Sequence, residues 1–152
     1  MKVINQFKMQ LPAKSLNESF ARVAVGAFIA QLDPLLEEIS DIKTAVSEAV
    51  TNCIVHAYKE TSGDIFISVK ILADNRVVIK IRDKGCGIPD VKQAMEPLFT
   101  TGGNERAGLG FAVMQSFTDK IRVISSINKG TTVTFYKKIS GRWILKNELM
   151  IT

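Results

Sequence analysis

With 152 residues, 46% of them hydrophobic and 23% charged, the chain has the size of one globular domain and excludes a disulfide-stapled miniprotein or a disordered tail. Two cysteines, Cys53 and Cys86, and a single histidine, His56, supply no ligand set for a structural zinc site. The formal charge of +5 arises from 20 basic against 15 acidic residues scattered along the chain, which suits an acidic partner without indicating nucleic acid.

The first strand is expected over Val3 to Leu11, at a sheet edge, with Pro12 and Ser15 marking the turn into a helix over Leu16 to Leu32. Asp33-Pro34 ends that helix, and a second runs from Leu35 to Ala57. From Ile42 onward its apolar residues Ala45, Val46, Ala49, Val50, Cys53, Ile54 and Ala57 follow the helical period, while Glu48, Asn52 and His56 stand four apart at the margin of that face. Alternation then marks Ile65 to Ile71 and Val77 to Ile81 as a hairpin across Ala73-Asp74-Asn75. A short helical turn precedes Glu96-Pro97, and Leu98 to Gly108, rich in glycine and polar residues, reads as a mobile loop. Helix is expected again over Leu109 to Phe117, followed by a hairpin of Ile121 to Ser125 and Thr131 to Lys137 across Asn128-Lys129-Gly130.

This order predicts an α+β fold, a two-layer sandwich with helices on one face of a mixed, mostly antiparallel sheet. Residues 1–152 are expected to form a single domain, with about 139–152 as a C-terminal tail or accessory strand. No stretch approaches the roughly 18 apolar residues of a membrane span, and Met1 to Gln6 lacks signal-peptide organisation. The expectation is a cytoplasmic protein that engages no membrane.

Three segments carry groups suited to chemistry. Glu48 and Asn52, one helical turn apart, can face a common ligand: an amide oxygen suits Mg2+, and a carboxylate can accept a proton from an attacking hydroxyl. The same pair also fits the solvated margin of an amphipathic helix. Asp83, directly after a strand and followed by Gly85 and Gly87, can accept a hydrogen bond from the exocyclic amine of a base, although Asp-x-Gly-x-Gly equally describes a turn. The Leu98 to Gly108 loop offers amides, the hydroxyls of Thr100 and Thr101, and the cation of Arg106 just before Gly108-Leu109-Gly110 and a helix start, an arrangement suited to polyphosphate or to a plain surface loop. Neither a Walker A loop nor a dinucleotide fingerprint is present.

Taken in order, Glu48-Ala49-Val50-Thr51-Asn52, Asp83-Lys84-Gly85-Cys86-Gly87, Gly108-Leu109-Gly110 and Gly130-Thr131-Thr132-Val133 resemble the four boxes of the ATPase and kinase superfamily that includes gyrase, certain chaperones, MutL-type proteins and histidine kinases. Asn17 to Arg22, Ala30 to Pro34, Val46 to Asn52 and Pro97 to Thr101 further resemble the sporulation anti-sigma factors, small serine kinases of endospore-forming bacteria. The resemblance runs from about Phe7 to Lys138.

It implies ATP, ADP and Mg2+ as ligands, Glu48 as catalytic base and Asn52 as the Mg2+ ligand. Asp83 would read the adenine amine, assisted by Thr132. Gly85, Gly87, Gly108, Leu109 and Gly110 would shape the pocket, Thr100, Thr101 and Arg106 would belong to a lid around the phosphates, and Arg22 would face protein partners. The implied protein is a homodimer that holds a sporulation sigma factor and phosphorylates a serine of a small anti-anti-sigma protein. An alternative is a nucleotide-gated sigma-binding switch without significant kinase activity. Direct nucleic-acid binding through Lys120, Arg122, Lys137, Lys138 and Arg142 is disfavoured, because no recognition helix with a basic face and no paired aromatic strand motif is present.

Overall fold

Among the described residues, alternating apolar and polar residues give five strands, each turning its apolar side inward; this side is buried in β2, β3 and β5 and half-buried in β1 and β4. The computed structural model describes residues 1–59, 61–96 and 105–141, and only the backbone of 105–109. In chain order the elements are β1 (Val3–Pro12), α1 (Ser15–Ile29), α2 (Leu36–Asn52), β2 (Asp64–Leu72), β3 (Arg76–Arg82), α3 (Val91–Ala94), α4 (Glu105–Phe117), β4 (Lys120–Ser126) and β5 (Gly130–Lys138). The sheet runs β1-β2-β3-β5-β4, every neighbouring pair antiparallel, so β1 is an edge strand as expected.

Register sets the core. Phe7, Val69, Ile79, Phe135 and Ile121 form one row across all five strands, and Met9, Ile67, Ile81, Val133 and Val123 form the next. Against these rows pack Val25 and Ile29 of α1, Ile42, Val46 and Val50 of α2, and Met114 of α4, all buried. The other face of the sheet carries mostly polar and basic residues, interspersed with Phe66, Val78 and Ile124. The two-layer α+β architecture is therefore the one expected, except that the described sheet is antiparallel throughout rather than mixed.

The helical boundaries differ instructively from expectation. α1 tightens into a 3₁₀ turn over Ala30–Leu32, and Asp33 adopts a left-handed conformation (φ 49°) that stops it. α2 passes at Asn52 into a π-helical turn, Cys53–Ala57, closed by the Tyr58 N–H donating to the Cys53 carbonyl at 3.2 Å. α4 begins at Glu105, earlier than Leu109, so 105–108 are helical rather than loop. Gly108 and Gly110 have low helix propensity and masked the helix in the sequence pattern. Residues 97–104, the larger part of the expected loop, lie outside the described residues.

The chain leaves β5 on the helical side. Ile139 is fully buried, and the N–H groups of Ser140 and Gly141 and the Ser140 hydroxyl donate to the Glu38 carboxylate in the first turn of α2. Of the expected tail, 142–152 lie outside the described residues. Among the described residues no helix is long and apolar enough to cross a membrane.

Candidate functional site

Asp83 follows the last residue of β3 and is 5% exposed, a burial a carboxylate tolerates only when its oxygens are satisfied. Its Oδ1 accepts the N–H of Gly85 at 2.9 Å and that of Thr131 at 3.2 Å. Its Oδ2 accepts the thiol of Cys53 at 3.5 Å. Burial, and then the neighbouring Asp83 charge, push the Cys53 thiol well above its ordinary range, so it stays protonated and remains a donor. Three elements thus aim one carboxylate: the π turn, the loop after β3 and the start of β5.

That carboxylate stands in the wall of a cavity of about 610 Å³. The volume falls within the roughly 300–1,000 Å³ of small-molecule sites. Ile88, Ala94, Phe111 and Ile127 give it apolar walls, and Asn52 stands at its helical side. The π turn shapes one flank: the Ala57 carbonyl accepts the Cys86 N–H at 3.0 Å, tying α2 to the loop after β3. Gly87, with φ +77°, closes the opposite flank, where a side chain would run into the Ser126 backbone. Tyr58, whose hydroxyl accepts the Lys84 N–H at 2.7 Å and donates to the Asp64 carbonyl at 2.8 Å, braces the strand ends from below.

Glu48 and Asn52 share a face of α2 and meet α4 at Gly110. A β-carbon at Gly110 would stand 3.4 Å from both Glu48 Oε2 and Asn52 Oδ1, which brings the two oxygens together beside α4. One carboxylate and one amide oxygen suit Mg2+, which completes its shell with waters and phosphate oxygens rather than with a protein cage. Asn52 could hold it, with Glu48 beside it.

The other expected site residues divide clearly. Gly85 and Gly87 flank Asp83, and Gly108 and Gly110 lie in α4. Thr100 and Thr101 lie outside the described residues. Arg106 and Leu109 lie in α4, where the description covers backbone alone. Arg22 is on α1, away from the cavity lining; its guanidinium reaches Glu18 at 3.7 Å and Ser19 at 3.3 Å beside the exposed Leu16, Phe20 and Val23.

Thr132 is a correction. It lies on the opposite face of the sheet, in a shallow groove with Ser68 and Lys80, and Thr131 is the residue that lines the cavity. Strand alternation could have found this, because Val133 and Phe135 are apolar and Thr131 shares their parity. Sequence reasoning also missed the Cys53 thiol as an Asp83 donor and the Ser125 hydroxyl, which contacts Thr131 Oγ1 at 2.8 Å and accepts the Ile88 N–H at 2.8 Å. His56 lines the cavity, and burial, with Lys59 nearby, holds its imidazole below the ordinary value and favours the neutral form.

Comparison with known proteins identifies the fold and the family. Residues 11–137 match the model of the histidine kinase-like ATPase domain. The RsbU and RsbW domains of a Mycobacterium tuberculosis protein superpose with a TM-score of 0.66 at 20% identity, covering 89% of this chain and 32% of that one. The histidine kinase domain of the blue-light activated kinase of Erythrobacter litoralis superposes at 0.55 and 19%, covering 86% and 62%. The chain belongs to the histidine kinase-like ATPase domain family.

The sequence relatives are more specific. The anti-sigma F factor of Caldanaerobacter subterraneus is 56% identical over 140 residues, 91% of this chain and 97% of that protein. The anti-sigma F factor of Geobacillus kaustophilus is 51% identical over 145 residues, 94% and 99%. Within the wider family, the chain belongs to the anti-sigma F factors.

Proposed function

We propose that this chain is an ATP-dependent serine kinase and anti-sigma factor: a cytoplasmic homodimer that holds a sporulation sigma factor in one nucleotide state and phosphorylates a serine of a small anti-anti-sigma protein. Residues 1–152 act in this reading as a single domain. The observation that carries it is one cavity lined by both the triply held Asp83 carboxylate and Asn52, with Glu48 one helical turn from Asn52 and both beside Gly110.

Asp83 is oriented to accept the exocyclic amine of adenine, with the Thr131 hydroxyl beside it. The apolar walls enclose the base. At the other end Asn52 would hold Mg2+, whose charge offsets that of the phosphates. The acceptor serine oxygen forms the new bond to the γ-phosphorus as the bond to the β,γ-bridging oxygen breaks, leaving ADP. Glu48 takes the serine proton. Phosphoryl transfer asks mainly for positioning and charge stabilisation, which two oxygens fixed on one helix face can provide. Thr100, Thr101 and Arg106 belong in this reading to the groups that close on the phosphates, and Arg22 to the surface that meets protein partners.

The test is transfer from γ-labelled ATP, with Mg2+, into proteins of the source organism's lysate, comparing the native chain with Glu48→Gln. A single small protein labelled on serine, and unlabelled with the variant, is expected. Tight ATP binding without transfer to any protein would replace the kinase by a nucleotide-gated sigma-binding switch.

A further inference from the structure

The face of the sheet turned away from the helices takes no part in the site, and its composition is one-sided. Strand register arranges it in rows. The central row reads Lys8, Ser68, Lys80, Thr134, Arg122 across β1, β2, β3, β5 and β4, so cations alternate with hydroxyls from edge to edge. The row above it adds Arg82, the row below adds Lys70 and Lys120, and none of the three rows contains an aspartate or glutamate. Lys8, Lys80 and Arg122 are exposed and form no ion pair among the described residues.

This clustering gives the net charge of +5 a location. Like charges on neighbouring strands repel, and folding alone gives no reason to gather them on one face. Every other strand of the row carries a cation, and with strands about 4.8 Å apart the positive groups recur at about 10 Å. Carboxylates two turns apart on one helix recur at about 10.5 Å. A groove of about 210 Å³ runs along the row, its walls including Ser68, Lys80, Arg122 and Thr134 together with the apolar Val78 and Ile124.

We infer that this face is a docking and steering surface for an acidic segment of the sigma factor, with carboxylates at about 10 Å spacing set against Lys8, Lys80 and Arg122. The inference deepens the anti-sigma reading and rests on it for the choice of partner. The alternative polyanion, nucleic acid, fits less well. Single strands bind sheet faces by stacking bases on free aromatic rings. Here Phe66 lies under the Arg82 guanidinium at 4.7 Å and Lys84 at 5.0 Å, and Tyr136 under Lys120 at 5.5 Å. Duplex readout needs a helix or ribbon that enters the major groove, which a five-stranded face does not supply.

Exposed charges of this kind act on association rate and salt dependence more than on the lifetime of the complex. The experiment is stopped-flow association of the ATP-loaded chain with the purified sigma F factor of the source organism, at about 50 and about 300 mM salt. The triple variant Lys8→Glu, Lys80→Glu, Arg122→Glu is expected to associate at least about tenfold more slowly at low salt, with a flatter salt dependence. Its ATP affinity should match the native chain's, which certifies the fold; the single variant Lys80→Glu, with a smaller drop, serves if the triple variant does not fold. An association rate within about twofold of native for the folded variants overturns the inference while leaving the anti-sigma reading intact. So does displacement of sigma from the native chain by a short DNA duplex at the same salt. Failure of the native chain to bind sigma at all overturns that reading and this inference with it.

Discussion

Asp83, in the cavity wall, has its oxygens held by two backbone N–H groups and a buried thiol from three separate elements, whereas Glu48 and Asn52 stand one turn apart on a single helix, beside Gly110 of α4. The first construction suits recognition, in which the same hydrogen bonds persist from binding to release. The second suits a group that must change protonation while a proton and a phosphoryl group move past it. Substitutions at the two ends should therefore separate binding from transfer.

The largest effect is expected at the reacting end. Glu48→Gln keeps the length and polarity of the side chain but removes the proton acceptor, so phosphoryl transfer to the antagonist should fall by about 10²–10⁴. ATP affinity should stay within about threefold of native, because no group that reads the base is touched. Quenched-flow transfer beside equilibrium titration measures both. A variant that lost affinity and rate together would assign Glu48 to nucleotide binding and erase the contrast.

Asp83→Ala should do the opposite. It strips the acceptor from the Gly85 and Thr131 N–H groups and from the Cys53 thiol, and unsatisfied buried donors cost about 1–3 kcal/mol each. ATP binding should weaken by about 10–100-fold, with a lower melting temperature that a given ATP concentration raises less than it raises the native chain's. A smaller contrast comes from neighbours on one strand. Thr131→Ala should weaken ATP by about fivefold, the worth of one hydrogen bond, while Thr132→Ala, on the opposite face, should change nothing measurable. Equal losses at both positions would contradict the strand parity.

That pair also shows what could be read before the structure. The sheet was legible because Ile65 to Ile71, Val77 to Ile81 and Val133 to Phe135 alternate strictly, and burial of one face leaves such strands a single register. Glu48 and Asn52 were legible as a pair because helical spacing alone puts them on one side of α2. Thr131 was readable from the same alternation but was passed over for its neighbour. The Cys53 contact with Asp83 was not readable: the residues are thirty positions apart, and the π turn that sets Cys53 has no signature in the apolar pattern. The start of α4 was hidden by Gly108 and Gly110, which read as loop but lie within the helix, where Gly110 packs beside Glu48 and Asn52. The basic face was invisible in a linear count, because its cations come from four separate strands and meet only through register.

The smallest effect concerns the frame that holds α2, and with it the reacting pair, against the end of β5. Burial pushes the Glu38 carboxyl upward, but donors from Leu35, Ser140 and Gly141 outweigh it and hold the group below its ordinary 4.5. A carboxylate with a depressed folded-state value stabilises the fold above its unfolded value, and that contribution is lost as pH falls from about 4.5 through the folded value. Glu38→Gln keeps an acceptor but not the charge, so it should lower the melting temperature by about 3 °C at neutral pH, equivalent to about 1 kcal/mol. Native and variant curves should converge as the pH drops below about 4.5. Parallel curves across the whole range would mean that the Glu38 charge contributes nothing to the clamp, and that Ser140 and Gly141 are held by geometry alone.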